Sequence, residues 1–166
     1  MNFNFIAIAA ASILPLIIGF VWYNPKVFGT PWMKAADMNE DKIKGGNMLL
    51  IFGLTILFSV FLSLGLYTIV IHQSHIYSTL MNEPALKDPN SELSIWLKDF
   101  MIKYGQNFRT FKHGTLHGLI GSVLVALPII SINALFERKS FKYILINWGY
   151  WAISMALMGG IICAYA

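Results

Sequence analysis

Four long stretches of apolar residues, each almost free of charge, limit more than any other feature what this chain can fold into. They cover about residues 3–23, 48–72, 114–136 and 141–165. A helix of about 20 such residues crosses the roughly 30 Å hydrocarbon core of a bilayer. Within lipid a helix also satisfies its own backbone hydrogen bonds. The sequence therefore predicts an all-α, multi-pass integral membrane protein, a four-helix bundle built as one domain over residues 1–166.

The composition favours a membrane protein and argues against a soluble one. Hydrophobic residues make up 57% of the chain and charged residues only 12%, whereas a soluble domain usually carries about 25% charge. The formal charge of +4 comes mainly from lysines and arginines between the apolar stretches. That distribution is typical of contact with lipid headgroups, so the expected partner is the lipid bilayer and not nucleic acid. The single cysteine excludes an intrachain disulfide.

The long connection over residues 73–113 contains a further predicted helix. Its first part is expected to be irregular because Pro84 and Pro89 interrupt it. Between about 91 and 106, one helical face carries the apolar residues Leu93, Trp96, Leu97, Phe100, Met101 and Tyr104. This spacing predicts an extra amphipathic helix at the membrane interface. It either lies in the headgroup plane, or forms a lid over the bundle, or only packs on the bundle and closes the loop, which is the more common role of such a stripe.

The basic residues also indicate an orientation. The first and third connections together carry seven of them: Lys26, Lys34, Lys42, Lys44, Arg138, Lys139 and Lys142. The long connection carries five: Lys87, Lys98, Lys103, Arg109 and Lys112. Positive charge favours the cytoplasmic side of a membrane. We therefore expect both termini and the 73–113 connection to lie outside.

Small residues recur at helical spacing and predict where helices approach one another. They are Ala152, Ala156, Gly160 and Ala164 in the fourth stretch, Ala7 and Ala11 in the first, and Gly114 and Gly118 in the third. Because lipid offers no hydrophobic drive for helices to associate, close backbone contact at small residues supplies much of the attraction. Tight packing is expected, either within one chain or between copies.

Two asparagines interrupt the apolar stretches on either side of the third connection. Asn133 and Asn147 lie at similar distances from that turn, and an amide without a partner is costly in lipid. We expect both to face the protein interior, where they can bond each other across the hairpin. A structural clasp is a more common role for such amides than binding a substrate.

Charge is absent where coupled transporters and acid–base enzymes need it. All eight carboxylates lie outside the apolar cores, whereas ion-coupled carriers usually keep an ionisable group within the membrane. The same absence removes the paired carboxylates used in general acid–base catalysis. The sequence therefore predicts neither an enzyme nor a bound cofactor.

Four histidines form the one constellation that can carry chemistry. His72 and His75 follow the second apolar stretch, and His113 and His117 open the third. Each pair has the spacing of one helical face, and the long connection brings both pairs to the same membrane surface. If the two helices touch there, these imidazoles can form a metal site or a pH-sensitive cluster. Histidines at a membrane interface without such a role are more common.

Two groups of motifs carry a resemblance to a known family. They are WYNP at 22–25 with VFGTPWM at 27–33, and INALFERKS at 132–140 with INWGYW at 146–151 and ALMGG at 156–160. The chain thereby resembles the small bacterial four-span proteins known as domain of unknown function 1761. The resemblance implies a four-helix membrane domain, in a bacterial cytoplasmic (inner) membrane, and supplies no catalytic residues.

Three functions remain as hypotheses. The leading one is a non-enzymatic component that associates with itself or with other membrane proteins, because small residues and buried amides suit assembly. The first alternative is a subunit of a small-solute or lipid transporter or channel, motivated by the kinks expected at Pro15 and Pro128. The second alternative is a metal-binding enzyme or sensor built on the histidines.

Overall fold

A computed structural model describes residues 3–166, with the side chains of all of these except Glu40. The helices are α1 (Phe5–Trp22), α2 (Thr30–Ala36), α3 (Glu40–Lys44), α4 (Met48–Val70), α5 (Gln73–Leu80), α6 (Glu92–Tyr104), α7 (Phe111–Gly121), α8 (Leu127–Phe136) and α9 (Phe141–Tyr165). The described residues also form two π-helical turns, Pro25–Gly29 and Ser122–Ala126, and a 3₁₀ turn, Pro84–Lys87. The described residues contain no strand, so the prediction of an all-α chain is confirmed.

Within the described residues 3–166, four helical segments are long and apolar enough to cross a membrane. They are α1, α4, the continuous segment Phe111–Phe136 that joins α7 to α8, and α9. The third begins three residues before its predicted start at 114 because the side chain of Thr110 caps it, accepting from the N–H of His113 at 3.2 Å. Its π-helical turn ends at Ala126, two residues before Pro128, which has no N–H to continue an α-helical ladder.

The start of α1 and the end of α9 lie at one end of the bundle, which we call the histidine end. It is formed by the start of α1, the end of α4, the start of α7 and the end of α9. The side-chain amide of Asn4 donates to the carbonyl oxygen of Tyr165 at 2.8 Å. Arg109, just before α7, donates from Nε to the carbonyl oxygen of Cys163 at 2.9 Å. These bonds join three of the four spans at this end.

The opposite end, which we call the turn end, contains the first and third connections. The Trp22 indole donates to the carbonyl oxygen of Ile146 at 3.0 Å. Lys139 donates to the carbonyl oxygen of Ala36 at 3.1 Å. The turn that joins α8 to α9 is therefore fastened to the short helix α2.

The core lies between α1, α4 and α9. Its buried members include Leu66, Met158 and Ile162. Among the predicted small packing residues, Ala7, Ala11, Ala152, Gly160, Gly114 and Gly118 are buried, whereas Ala156 and Ala164 are half-buried. Ser12 and Ser63 bond at 2.9 Å between α1 and α4, and Ser12 also donates to the carbonyl oxygen of Ile8. A buried hydroxyl pair thus supplements the apolar contacts.

The long connection differs from its expected shape in its first part. Residues 73–80, expected to be irregular, form α5, because the first proline of the connection comes only at Pro84. The buried side chain of Gln73 ties α5 to the end of α6 by donating to the carbonyl oxygen of Asn107 at 2.8 Å. Helix α6 leaves Trp96 and Ile102 exposed, which suits a helix at the membrane interface.

Candidate metal centre

The position of α7 is set by its close contact with α9. A Cβ added to Gly114 would overlap the carbonyl oxygen of Gly159, and one added to Gly118 would overlap that of Met155. The two backbones therefore touch at positions that only glycine permits. This contact fixes the rotation of α7 about its own axis, and with it the direction of every other side chain on that helix.

Two imidazoles on α7 come from the residues directly before those glycines. His113 and His117 are four residues apart, one helical turn, and their ring centroids are 4.4 Å apart. Successive residues of a helix are about 100° apart around the axis, since there are about 3.6 per turn. With the glycines facing α9, the two histidines therefore face the end of α4.

The third imidazole comes from the point where α4 ends. Ile71 leaves helical geometry at φ −101°, ψ 87°, and its N–H bonds the carbonyl oxygen of Tyr67. The next residue, His72, is half-buried, and its Nε2 lies 2.9 Å from Nε2 of His113. Its ring centroid is also 4.8 Å from that of His117. The break after Val70 thus places His72 against both histidines of α7.

The three imidazoles form one compact cluster. Each of His72, His113 and His117 offers a ring nitrogen, and these atoms all lie within 4.8 Å of one another. Nitrogens bound to a tetrahedral zinc ion lie about 3.3 Å apart, since each zinc–nitrogen bond is about 2.0–2.1 Å. Small side-chain rotations therefore bring the cluster to the spacing that a metal ion requires. We call these three residues the histidine cluster.

His75, the fourth candidate ligand, lies outside the cluster. It is exposed on α5 and lines a shallow surface cavity with Thr79 and Trp96. The N–H of His75 bonds the carbonyl oxygen of His72 at 3.2 Å, so both residues follow the break at Ile71, but His72 contacts α7 whereas His75 is exposed. The His-x-x-His spacing did not reveal this difference, because it does not show which of the two residues lies against α7.

The environment of His72 favours its neutral form. Burial lowers the pKa of His72 below its usual value of 6.5, and the neighbouring charges of His117 and His75 lower it further. A metal ion binds the deprotonated ring nitrogen. The local electrostatics of His72 therefore favour the form that binds metal at neutral pH.

Cys163 is not part of the histidine cluster, and its thiol faces backbone carbonyl oxygens. Its thiol donates to the carbonyl oxygen of Phe108 at 3.2 Å and faces that of Val70 at 3.5 Å. Among the described residues, the three histidines are the one group of histidine, cysteine or carboxylate side chains with metal-binding spacing. The donor set is thus three imidazoles without a carboxylate or a thiolate.

A cavity of about 280 Å³ adjoins the cluster. Its walls are His72, Gln73, Ile76, Phe100, Tyr104, Asn107 and Phe108. The ring of Phe108 also contacts that of His113, with centroids 5.1 Å apart. Helix α6 supplies Phe100 and Tyr104, so the long connection forms one wall. This cavity is a feature that the sequence did not indicate.

The two asparagines are not paired with each other. The side chain of Asn133 is exposed on α8, which corrects the expectation that it faces the interior. Asn147 accepts a hydrogen bond from the Tyr23 hydroxyl at 3.0 Å and donates to the carbonyl oxygen of Tyr143 at 2.8 Å. The similar distances of the two residues from the turn predicted the depth of their amides in the membrane. They did not predict the side of the helix on which each amide lies.

Comparison with known proteins identifies a family and no relative of known activity. A family model described as "Protein of unknown function (DUF1761)" matches residues 6–163. No curated protein and no solved structure matches the chain.

Proposed function

The chain belongs to the DUF1761 family, whose description assigns it no activity, and we propose that it binds a divalent transition-metal ion at one membrane surface. The observation that carries this proposal is the histidine cluster, with three ring nitrogens within 4.8 Å of one another. His72 comes from the segment that follows α4, and the other two donors come from α7, with His72 and His113 41 residues apart in the chain.

The donor set favours particular metals. Imidazole suits zinc, copper, nickel and iron, whereas calcium and magnesium prefer oxygen ligands. Three neutral imidazoles also match the protein ligands of zinc sites that keep one position open. We therefore expect Zn²⁺, with Co²⁺ as a spectroscopic substitute. With both termini and the long connection outside, as the distribution of basic residues favours, the metal lies at the outer surface.

Metal analysis of the purified protein tests the proposal. The full chain, carrying an affinity tag without histidine, is purified in mild detergent, stripped with a chelator and titrated with Zn²⁺. We expect about one equivalent to bind, and His72→Ala and His117→Ala to lose stoichiometric binding. His75→Ala is the matched control and retains it. If zinc, copper, nickel and cobalt all fail to bind stoichiometrically, the proposal is wrong.

A second candidate function is assembly with another copy of this chain. The observation in its favour is the exposed amide of Asn133, one turn before the exposed ring of Phe136 on α8. An amide facing lipid lacks a hydrogen-bond partner, and a second helix can supply one. Particle mass in nanodiscs tests this candidate. We expect a dimer that Asn133→Leu weakens; a strictly monomeric wild-type particle would contradict it.

A further inference from the structure

Three protein donors leave one coordination position of a tetrahedral metal open. In such sites a water molecule or an exogenous ligand takes the fourth position. What can bind there depends on the space beside the metal and on the groups that line that space. The adjoining cavity therefore restricts which ligand can take the fourth coordination position.

The cavity beside the histidine cluster shares a wall with it. His72 lines the cavity, and the ring of Phe108, another wall residue, lies against that of His113. Two of the three metal-binding imidazoles are therefore in contact with the cavity or with its lining. A ligand in the cavity lies within reach of a metal held by the cluster.

The size and lining of the cavity restrict that ligand. Its volume is about 280 Å³, and a protein cavity of about 150 Å³ is already enough for one benzene molecule. Ile76, Phe100 and Tyr104 give it apolar and aromatic walls. Among the described residues no charged side chain lines it, and the Gln73 amide is already bonded to the carbonyl oxygen of Asn107. These features select a small, neutral molecule that places one aromatic ring in the cavity beside its separate metal-binding group.

We propose that this cavity binds a small neutral aromatic ligand that coordinates the cluster's metal through a nitrogen donor. The inference rests on the proposed metal-binding function and goes beyond it by naming a ligand class. The ring occupies the space between Phe100 and Phe108, and the donor nitrogen takes the open coordination position. Helix α6 then serves as one wall of a binding site in addition to closing the loop.

A comparison of two azoles tests the ligand class. The full chain in nanodiscs is loaded with Co²⁺, and the visible absorption of the metal reports coordination by imidazole or by 4-phenylimidazole. We expect 4-phenylimidazole to bind at least about tenfold more tightly, because its phenyl ring leaves water for the cavity. Imidazole has no phenyl ring, so its binding reports only whether the fourth coordination position of the metal is open.

Variants of the cavity wall test whether 4-phenylimidazole binds more tightly because of the cavity or because it partitions into lipid. Phe100→Ala removes a wall and Ile76→Trp fills the space, so both are expected to reduce the preference for 4-phenylimidazole over imidazole to about threefold or less. Phe58→Ala, on the exposed surface of α4, is the matched control and keeps the full preference. Retention of the Co²⁺ spectrum shows that each variant is folded.

The outcomes distinguish the two proposals. If zinc, copper, nickel and cobalt all fail to bind, both are wrong. If Co²⁺ binds but neither azole changes its spectrum, or if both azoles bind equally, the cavity does not accept the ligand and only metal binding stands. If the preference survives in both Phe100→Ala and Ile76→Trp, the ring lies elsewhere and the inference is overturned.

Discussion

The carbonyl oxygen of Gly114 lies so close to Gly159 that a methyl group on Gly159 would overlap it, and the reverse holds for a methyl group on Gly114. Helices α7 and α9 therefore meet backbone to backbone. His113 and His117 each directly precede a glycine of this contact. The contact that holds the bundle together thus also holds two of the three candidate metal ligands in place.

The first prediction concerns Gly118. Its replacement by alanine places a methyl group against the carbonyl oxygen of Met155, so α7 must move away from α9. We expect a loss of about 1–3 kcal/mol in the free energy of unfolding, the usual cost of overpacking. We also expect weaker binding of Co²⁺, because His117 moves with the helix. Thermal unfolding in nanodiscs and a cobalt titration measure the two effects.

Gly65→Ala is the matched control for this prediction. Gly65 lies within α4, and a Cβ there meets nothing within 4 Å. Its replacement is expected to leave both stability and cobalt affinity unchanged. If Gly65→Ala and Gly118→Ala behave alike, close approach at Gly118 is not what holds α7 in place.

The sequence predicted the glycine surface but not its partner. Gly114 and Gly118 indicated where a neighbouring helix can approach, because a four-residue spacing repeats on one helical face. Their contact with Gly159 could not be derived, since a flat surface accepts any helix of suitable shape. Which helix lies there depends on all the connections together.

The candidate site was partly predictable for the same reason. The order of the chain brought His72, His113 and His117 to one membrane surface, because the long connection joins the two helices that carry them. It could not separate His75 from them, because the spacing of His72 and His75 does not show which of the two lies against α7. Their placement depends on tertiary contacts, which the sequence did not indicate; one of these joins Gln73 at the start of α5 to Asn107.

The second prediction concerns the pH dependence of stability without metal. Burial lowers the pKa of His72 in the folded state below its usual 6.5, so the unfolded chain takes up a proton at a higher pH than the folded chain does. In the window from 6.5 down to the folded pKa, the unfolded state binds more protons, and stability therefore falls as the pH falls. Thermal unfolding between pH 5 and 8 in the presence of a chelator measures this decrease.

His72→Gln tests whether His72 is responsible. Glutamine is uncharged over this range, so the decrease below pH 6.5 is expected to become shallower. His75→Gln removes an exposed histidine and is expected to leave the decrease nearly as steep as in the wild type. Equal slopes for wild type and His72→Gln would contradict the prediction.

The third prediction concerns the bond between Tyr23 and Asn147 at the turn end. Burial raises the pKa of Tyr23, so its hydroxyl stays protonated and donates to the amide oxygen of Asn147. Replacing Asn147 by leucine is expected to cost about 0.6 kcal/mol, the average for hydrogen bonds between membrane helices, and no more than about 1.7 kcal/mol, the largest value found for them. A double-mutant cycle with Tyr23→Phe measures the coupling between the two side chains by thermal unfolding. Zero coupling in the cycle would count against the bond.

Asn133→Leu is the control for this prediction. It changes an exposed position and is expected to leave the unfolding of the monomer unchanged.

The fourth prediction concerns Arg109, which bonds the last turn of α9. Its Nε donates to the carbonyl oxygen of Cys163 at 2.9 Å, and a terminal guanidinium nitrogen donates to that of Ala166. A cation at a helix C-terminus also interacts favourably with the helix dipole, so Arg109→Met is expected to cost about 1–2 kcal/mol and to speed amide exchange in the last turn of α9. Lys112→Met removes an exposed charge three residues away and is expected to change neither quantity.

Arg109→Lys keeps the charge but cannot form both bonds in the same planar geometry, so an intermediate loss is expected. If Arg109→Met and Lys112→Met exchange at the same rate, the guanidinium does not stabilise the end of α9.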